Sequence, residues 1–496
     1  MVGIQAVRPE CYGCFLLLNE KRKSSMFSKN QNSPDLKRQN VLFSLVAGNA
    51  GDTLSAAGKR TIITTLVLAC LLVYWPVFTH DFQYRWDDQW VVMNDYTEGG
   101  LNWINIIAII TELYHGQYAP VNEFYYLTLY SLFGYTPIWF HAASLLVHIT
   151  SVLLVFFFIK KILQMSGKVE MASITTISFI TALLMAVHPL HVEPVSWMSA
   201  SKCILFALFF LLSLQAYLRY LQSNKWIHYL LTLFLFIVSF GAKEQAVTLP
   251  VCLLLIDMTL KRNMQSSKVW FEKLPFFCLT ICFIIITFYS QIQNGEGVLA
   301  NKGYYPFYQN VVFAAYSITE YFIKCILPVR LHYLYPFPNL PGEPLPLKLW
   351  MYPVLLLFVT TGFWKSWRNT WILFGVGFNL VQISVASNII PTSRYAIIAD
   401  RYIYLPSIGI FFLVAYLFDR LLKQQPKYRP VMIACAIGCF ISLGVYANQR
   451  CKVWHNSQTL KRELQKTIRG RKDFNDWQKK NNAKDETGIT DEPLIQ

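Results

Sequence analysis

Charge is what this chain has little of. Only 15% of its 496 residues are Asp, Glu, Lys or Arg, against about 25% in soluble domains. Acid is the scarcer sign, with 28 Asp and Glu against 44 Lys and Arg and a formal net charge of +16. With 54% hydrophobic and 16% aromatic residues, this balance excludes an ordinary soluble chain. A nucleic-acid partner is not expected either. The bases sit mostly in short loops and at both termini, where positive-inside topology puts them, and no basic stripe alternates with base-stacking aromatics. Cysteine chemistry is thin. Seven of the 11 cysteines lie within apolar runs, as small hydrophobes. Cys11 and Cys14 form a C-x-x-C, but no second pair completes a zinc site and no βαβ pattern supports a redox motif. A signal peptide is lacking as well, because the first sustained apolar run starts only after Lys59-Arg60.

What the chain does have is a series of apolar runs, which predicts an all-α polytopic membrane protein. The runs cover 61–78, 137–162, 172–187, 203–218, 226–241, 246–260, 276–289, 350–364, 371–387, 402–422 and 431–447, about 11 transmembrane helices. Bases recur on one side of the alternation, which places the N-terminus in the cytoplasm and the C-terminus outside. Three parts follow: a flexible cytoplasmic tail over 1–58, a catalytic membrane domain over 59–447, and an external tail over 448–496, helical at first. The segment 310–327 holds Glu320 and Lys324 and is read as an amphipathic interfacial helix, because a span there would put Lys365 and Arg368 outside.

The first external loop carries Asp81, Asp87, Asp88, Asp95, Glu98, Glu112 and Glu123, together with short helices near 104–113 and 120–133. Asp87 and Asp88 stand between Trp86 and Trp90, directly after the first span. An ionised carboxylate near hydrocarbon is costly and points to function. Three further polar clusters fall on the same side: His188, His191, Glu193 and Lys202; Lys243 and Glu244; and Arg394, Asp400, Arg401 and Tyr402. A lipid-phosphate sugar would keep its tail in the bilayer and its head at this surface. Arg394, Arg401, Lys202 and Lys243 are candidates for its phosphate, since guanidinium and ammonium groups bind phosphate oxygens well. Asp87 or Asp88 would act as the base for an acceptor hydroxyl. His188, His191, Glu193, Glu244 and Tyr402 are candidates for substrate contacts. No cofactor is certain. The acidic pair could hold a divalent cation such as magnesium or manganese, whereas Pro189 and Pro194 interrupt any helical metal-ligand spacing around the two histidines.

WDDQWVVMN, HPLHVEPVSWMSASKCILFALFFLLSLQAY, GAKEQAVTLPVCLLLID and ADRYIYLPSIG, in this order, resemble the transmembrane-and-tetratricopeptide-repeat family of protein O-mannosyltransferases. The resemblance covers about residues 60–464. It implies a C-type glycosyltransferase fold, an inverting transfer from a polyprenyl- or dolichyl-phosphate sugar, mannose as the sugar, and a protein or glycan acceptor. It also implies a catalytic acid in the first external loop, at Asp87 or Asp88. VWHNSQTLKRELQKT resembles the opening of a tetratricopeptide array, although no 34-residue repeat follows it. Two other readings compete. A lipid-sugar transporter or flippase would show inverted repeats and mid-bilayer breaks, and no internal repeat is found. An inactive scaffold of the same fold would tolerate loss of both Asp residues. The expected compartment is a bacterial inner membrane in preference to the endoplasmic reticulum.

Overall fold

The first described helix is α1 (Ala56–Tyr74), whose first turn is closed by Ser55 accepting from the Gly58 amide at 3.0 Å. In this computed structural model the described residues are 55–84, 86–293, 305–362, 364–389 and 396–468. Arg394, the Cys11–Cys14 pair, most of the expected N-terminal tail and everything past 468 lie outside them.

After α1 a 3-10 turn, Trp75–Thr79, leads into the first loop. That loop carries one-turn helices at Asp88–Val91 and Asp95–Glu98, then α2 (Trp103–Thr111) and α3 (Pro120–Phe133). The expected short helices are therefore present. α2 exposes Trp103, Ile104, Ile107 and Ile110, an apolar face suited to lying along a membrane surface. Gly134 closes α3 at φ 56° and ψ −163°, a backbone region that only glycine occupies readily.

The bundle follows: α4 (Pro137–Ser166), α5 (Met171–Val187), α6 (Ser201–Ser223), α7 (Trp226–Ala242), α8 (Leu249–Thr259) and α9 (Leu274–Gln293). α4 opens on proline and stops at Gly167, which takes the left-handed conformation typical of helix ends. α10 (Phe307–Ile326), α11 (Met351–Gly362), α12 (Thr370–Ile383), α13 (Ser407–Gln424), α14 (Arg429–Cys451) and α15 (Ser457–Ile468) complete the chain. The core is apolar and centres on α4, α5 and α6, with Phe158, Met185, Phe210 and Leu214 fully enclosed. A two-stranded antiparallel ribbon pairs β1 (Tyr335–Pro336) with β2 (Ala396–Ile398). The proline-rich run after β1 forms no helix before Leu347.

Among the described residues, five helices are long and apolar enough to cross a membrane by length and composition: Ala56–Thr79, Pro137–Ser166, Met198–Ser223, Ser267–Gln293 and Pro426–His455. A sixth forms if Met171–Val187 and Pro189–Ser196, bent by 54° at the break, count as one. The all-α membrane architecture is as expected, and the count of about 11 spans is not confirmed. Trp226–Ala242, Leu347–Gly362 and Thr370–Ala386 are apolar but short, α8 has only 11 residues, and α13 carries Asp419, Arg420 and Lys423. α10 is not a candidate span, in keeping with its reading as an interfacial helix. It salt-bridges Lys324 to Glu320 at 3.2 Å along one face.

Candidate active site

The first loop is pinned from three directions before any chemistry is considered. Asp81 N–H donates to His455 O at 2.8 Å, and Gln83 Nε2 donates to Trp454 O at 2.8 Å. Asn122 of α3 donates to Ala242 O at 3.2 Å, at the end of α7. Tyr126 of α3 bonds Ser201 Oγ at 2.7 Å, at the start of α6. The loop therefore sits over the ends of α6, α7 and α14.

The two adjacent aspartates have different environments. Asp88 is fully buried. Its Oδ2 accepts from Gln83 N at 2.7 Å, and its Oδ1 accepts from Ser199 N at 3.0 Å and from the Ser199 hydroxyl. Internal donors occupy both of its oxygens, which ties the loop together and leaves Asp87 the more open of the two candidate acids. Asp87 is only half-buried, with one indole contact, Trp90 Nε1 to Oδ1 at 3.3 Å. Burial raises its pKa to about 6, while the charges of Lys202 and Arg401 act to lower it. Those opposing influences put the carboxylate and both cations in one electrostatic neighbourhood.

Arg401 is the best-held cation. Its guanidinium pairs with Glu193, its backbone N–H donates to Glu193 Oε2 at 3.1 Å, and it lies over the Trp197 ring at 5.3 Å and the Tyr402 ring at 4.8 Å. Its side chain keeps 23% of its surface open. Glu193, 3% exposed, spends both of its carboxylate oxygens on Arg401. Lys202 donates to Gln117 at 2.9 Å and lines a narrow cavity with Trp90, Tyr114, Glu112 and Glu123. At ≈ 20 Å³ that cavity holds about one water. Lys243 is buried, touching Cys203 Sγ at 3.5 Å and the Tyr402 ring at 5.1 Å. Glu244 is half-buried and acts with Lys243 on the charge of Lys202.

His188 and His191 belong elsewhere. Both are buried in the core. His188 Nδ1 accepts from Leu190 N at 3.3 Å, and His191 bridges Met185 O at 2.8 Å and Ser407 Oγ at 3.0 Å. The bend after α5 turns both rings inward, away from the cations expected to share a substrate with them. Among the described residues, no group of three or more His, Cys, Asp or Glu is placed to hold a metal ion.

Several groups escaped the sequence reading. Glu123 was noted only as one acid among seven. Burial raises its pKa to about 7, with Asn94 hydrogen-bonding it at 3.0 Å and Lys202 nearby. Asp400, placed by its sequence in the fourth polar cluster but without a role, is buried, accepting from Tyr335 OH at 2.9 Å and from Arg450 Nη2 at 3.0 Å. Arg450 gave no signal because it ends an apolar run, where a base reads as a topology marker.

These features define an α-helical membrane protein with an acid and several bases gathered at one end of its bundle. Its curated homologues are protein O-mannosyl-transferases. It is 24% identical to Protein O-mannosyl-transferase F38B6.6 of Caenorhabditis elegans over 320 residues, 62% of this chain and 43% of that protein. It is 24% identical to mouse TMTC4 over 400 residues, 68% of this chain and 52% of that one. Against human TMTC4 it is 35% identical over 148 residues, 27% and 20% of the two chains. The chain thus spans about half the length of the first two relatives. No protein-family model and no solved structure matches it. The animal sources of these relatives do not match the expected bacterial inner membrane. That expectation rested on the missing repeats and the N-terminus, and neither bears on compartment.

Proposed function

We propose that this chain is an integral-membrane hexosyltransferase that moves mannose from a polyprenyl- or dolichyl-phosphate donor to a hydroxyl of a protein acceptor. Transfer takes place at the non-cytoplasmic face, in the animal setting of its relatives the lumenal face of the endoplasmic reticulum. The observation that carries this reading is the half-open Asp87 carboxylate, raised to about 6 beside Lys202 and Arg401.

In this mechanism Arg401, aimed by Glu193 and stacked on Trp197 and Tyr402, takes the donor phosphate. Guanidinium hydrogen bonds to phosphate oxygens strengthen as the leaving group gains charge, so they favour the transition state. Lys202 adds a second positive charge, and Lys243 supports Tyr402 from below. Asp87 accepts the acceptor's proton as the oxygen attacks the anomeric carbon. The sugar–phosphate bond breaks on the opposite side, which inverts that centre. The protonated Asp87 returns its proton to water. A carboxyl with a pKa near 6 is basic enough to help and is still mostly ionised at neutral pH.

The test is transfer of labelled mannose from dolichyl-phosphate mannose to membrane protein, comparing wild type with Asp87→Asn and Arg401→Lys. Loss of transfer in both, with folding intact, supports the reading. Full activity in Asp87→Asn would sink it. Donor movement across sealed vesicles without transfer would favour a flippase.

A further inference from the structure

A second constellation lies at the other end of the bundle. α4 starts beside the first loop, where Phe140 packs on Phe82 with ring centroids 5.2 Å apart. Its 30 residues then carry the chain roughly 45 Å away, to Ser166. α8 likewise runs from the Lys243 end to Thr259. Beyond these two ends, and at the start of α12, three loops converge on an open cavity of ≈ 340 Å³. Lys168, Lys261 and Arg368 line it, one from each loop, with Ser166, Asn369 and Thr370.

The charge in this cavity is unbalanced. None of the three bases has a carboxylate partner among the described residues. The nearest acid in sequence to Lys168 is Glu170, and Lys423 engages it at 2.7 Å. Lys261 stands close enough to Lys168 to pull its pKa below the ordinary lysine value. Bases that serve only to fix topology need to lie near span ends, and nothing requires them to converge. Like charges on a concave surface repel, and an anion between them removes that cost. The cavity also receives the start of α12, whose Asn369 side chain accepts from Trp371 N and Ile372 N. Those two amides are capped by Asn369, so what the helix start adds for an anion is the positive end of its dipole.

Apolar surface adjoins the cations. α11, just upstream of Arg368, has no buried side chain, and Leu357 and Phe358 on it are 65% and 73% exposed. Trp364, between α11 and the cavity, is 70% exposed, as interfacial tryptophans are. A free phosphate has no use for that surface, whereas an acyl chain does.

We propose that Lys168, Lys261 and Arg368 form a binding site for the phosphate headgroup of an anionic membrane lipid, on the membrane face opposite Asp87, with its acyl chains along α11. The site is separate from the transfer site and does not depend on the mannosyltransferase reading.

Native mass spectrometry of the full chain, extracted from vesicles of mixed phosphatidic acid and phosphatidylcholine, tests it. Wild type should retain phosphatidic acid with about a 10-fold preference, the size expected of one or two charge-assisted hydrogen bonds. Lys168→Gln/Lys261→Gln/Arg368→Gln should lose the preference, and Lys168→Arg/Lys261→Arg should keep it. The arginine variant guards against a loss that comes from misfolding. Equal retention of the two lipids by wild type, or a preference that survives the glutamine changes, overturns the site. Inorganic phosphate bound by wild type with no lipid retained would make the free ion the occupant and overturn the lipid assignment.

Discussion

Trp454 lies almost flat on Trp197, ring centroids 5.5 Å apart and planes 18° from parallel, and is fully buried. Trp197 in turn carries the Arg401 guanidinium on its ring. The turn that follows α14, at the end of the last apolar stretch, is therefore built into the candidate active site. Trp454 also meets Tyr333 edge-on and accepts from Gln83 through its carbonyl. Trp454→Ala should destabilise the protein by about 3–5 kcal/mol, the usual cost of emptying a buried aromatic site. Trp454→Phe should cost less, because most of the stack survives. Thermal unfolding in detergent reads both. Equal midpoints for wild type and the alanine variant would show that the stack contributes nothing.

The two aspartates should separate cleanly under the same substitution. Asp88→Asn turns an amide donor towards one of its three donors, from Gln83 N or Ser199, and should lower stability by about 1–3 kcal/mol. Asp87→Asn keeps the shape, removes a half-buried charge, and should leave the unfolding midpoint unchanged or raised. Its effect should fall on transfer, about 100-fold or more, the size typical of a lost general base. The pairing of outcomes is the check. Stability lost at 87 and kept at 88 would reverse the assignment.

Asp87 also sets a pH dependence. Burial lifts its pKa to about 6, from an ordinary value near 4. Between those two values the folded state binds more protons than the unfolded state, so this group's contribution to stability falls as pH rises through about 4 to 6. Activity runs the other way, because the base works ionised. Transfer should rise with pH along a limb centred near 6. Lys202→Met removes a charge that lowers the pKa and should move that limb upwards. Glu123, at about 7, is the competing titration. Lys202 lowers the Glu123 pKa as well, so Glu123→Gln is the deciding variant: if it abolishes the limb, the limb belongs to Glu123.

Legibility in the sequence followed a physical rule. Asp87, Lys202 and Arg401 stand out because a charge beside an apolar run is expensive and rarely accidental, and the charges of Lys202 and Arg401 both act on the Asp87 carboxyl. The same rule misled at His188 and His191. A polar side chain satisfied by a carbonyl and a hydroxyl from other helices looks identical in sequence to one facing a substrate. Asp257 and Lys273 show the opposite failure. They pair at 2.7 Å with both side chains fully buried, and Arg262 ties in Glu272 at 2.8 Å. In sequence, Lys261-Arg262 reads as no more than a basic loop. Arg368 lines one cavity with Lys168 and Lys261, a convergence that three bases far apart in sequence do not announce. Span number is not legible either, because hydropathy marks apolar segments without saying which of them reach across.

The glycine that closes ADRYIYLPSIG is held by packing. α12 and α13 cross at Gly375 and Gly409, where the backbones nearly touch. A Cβ on Gly375 would sit 2.8 Å from Gly409 O and collide with Leu413, and one on Gly409 would meet Asn379 N at 2.9 Å and run into Gly375 O. Asn379 reinforces the crossing by donating to Pro406 O at 3.0 Å. Small residues let helices approach this closely in membranes, where packing takes over from the hydrophobic effect as the driving force. Two backbones cannot yield as a flexible side chain would, so Gly409→Ala should cost about 1–3 kcal/mol or more. Prising α13 away at this point also moves Arg401, eight residues earlier, relative to Glu193. Transfer should therefore fall along with the unfolding midpoint. Gly438, which has open space around it on α14, is the control: Gly438→Ala should leave both readings unchanged, and equal behaviour of the two variants would mean that the close crossing does not hold the site.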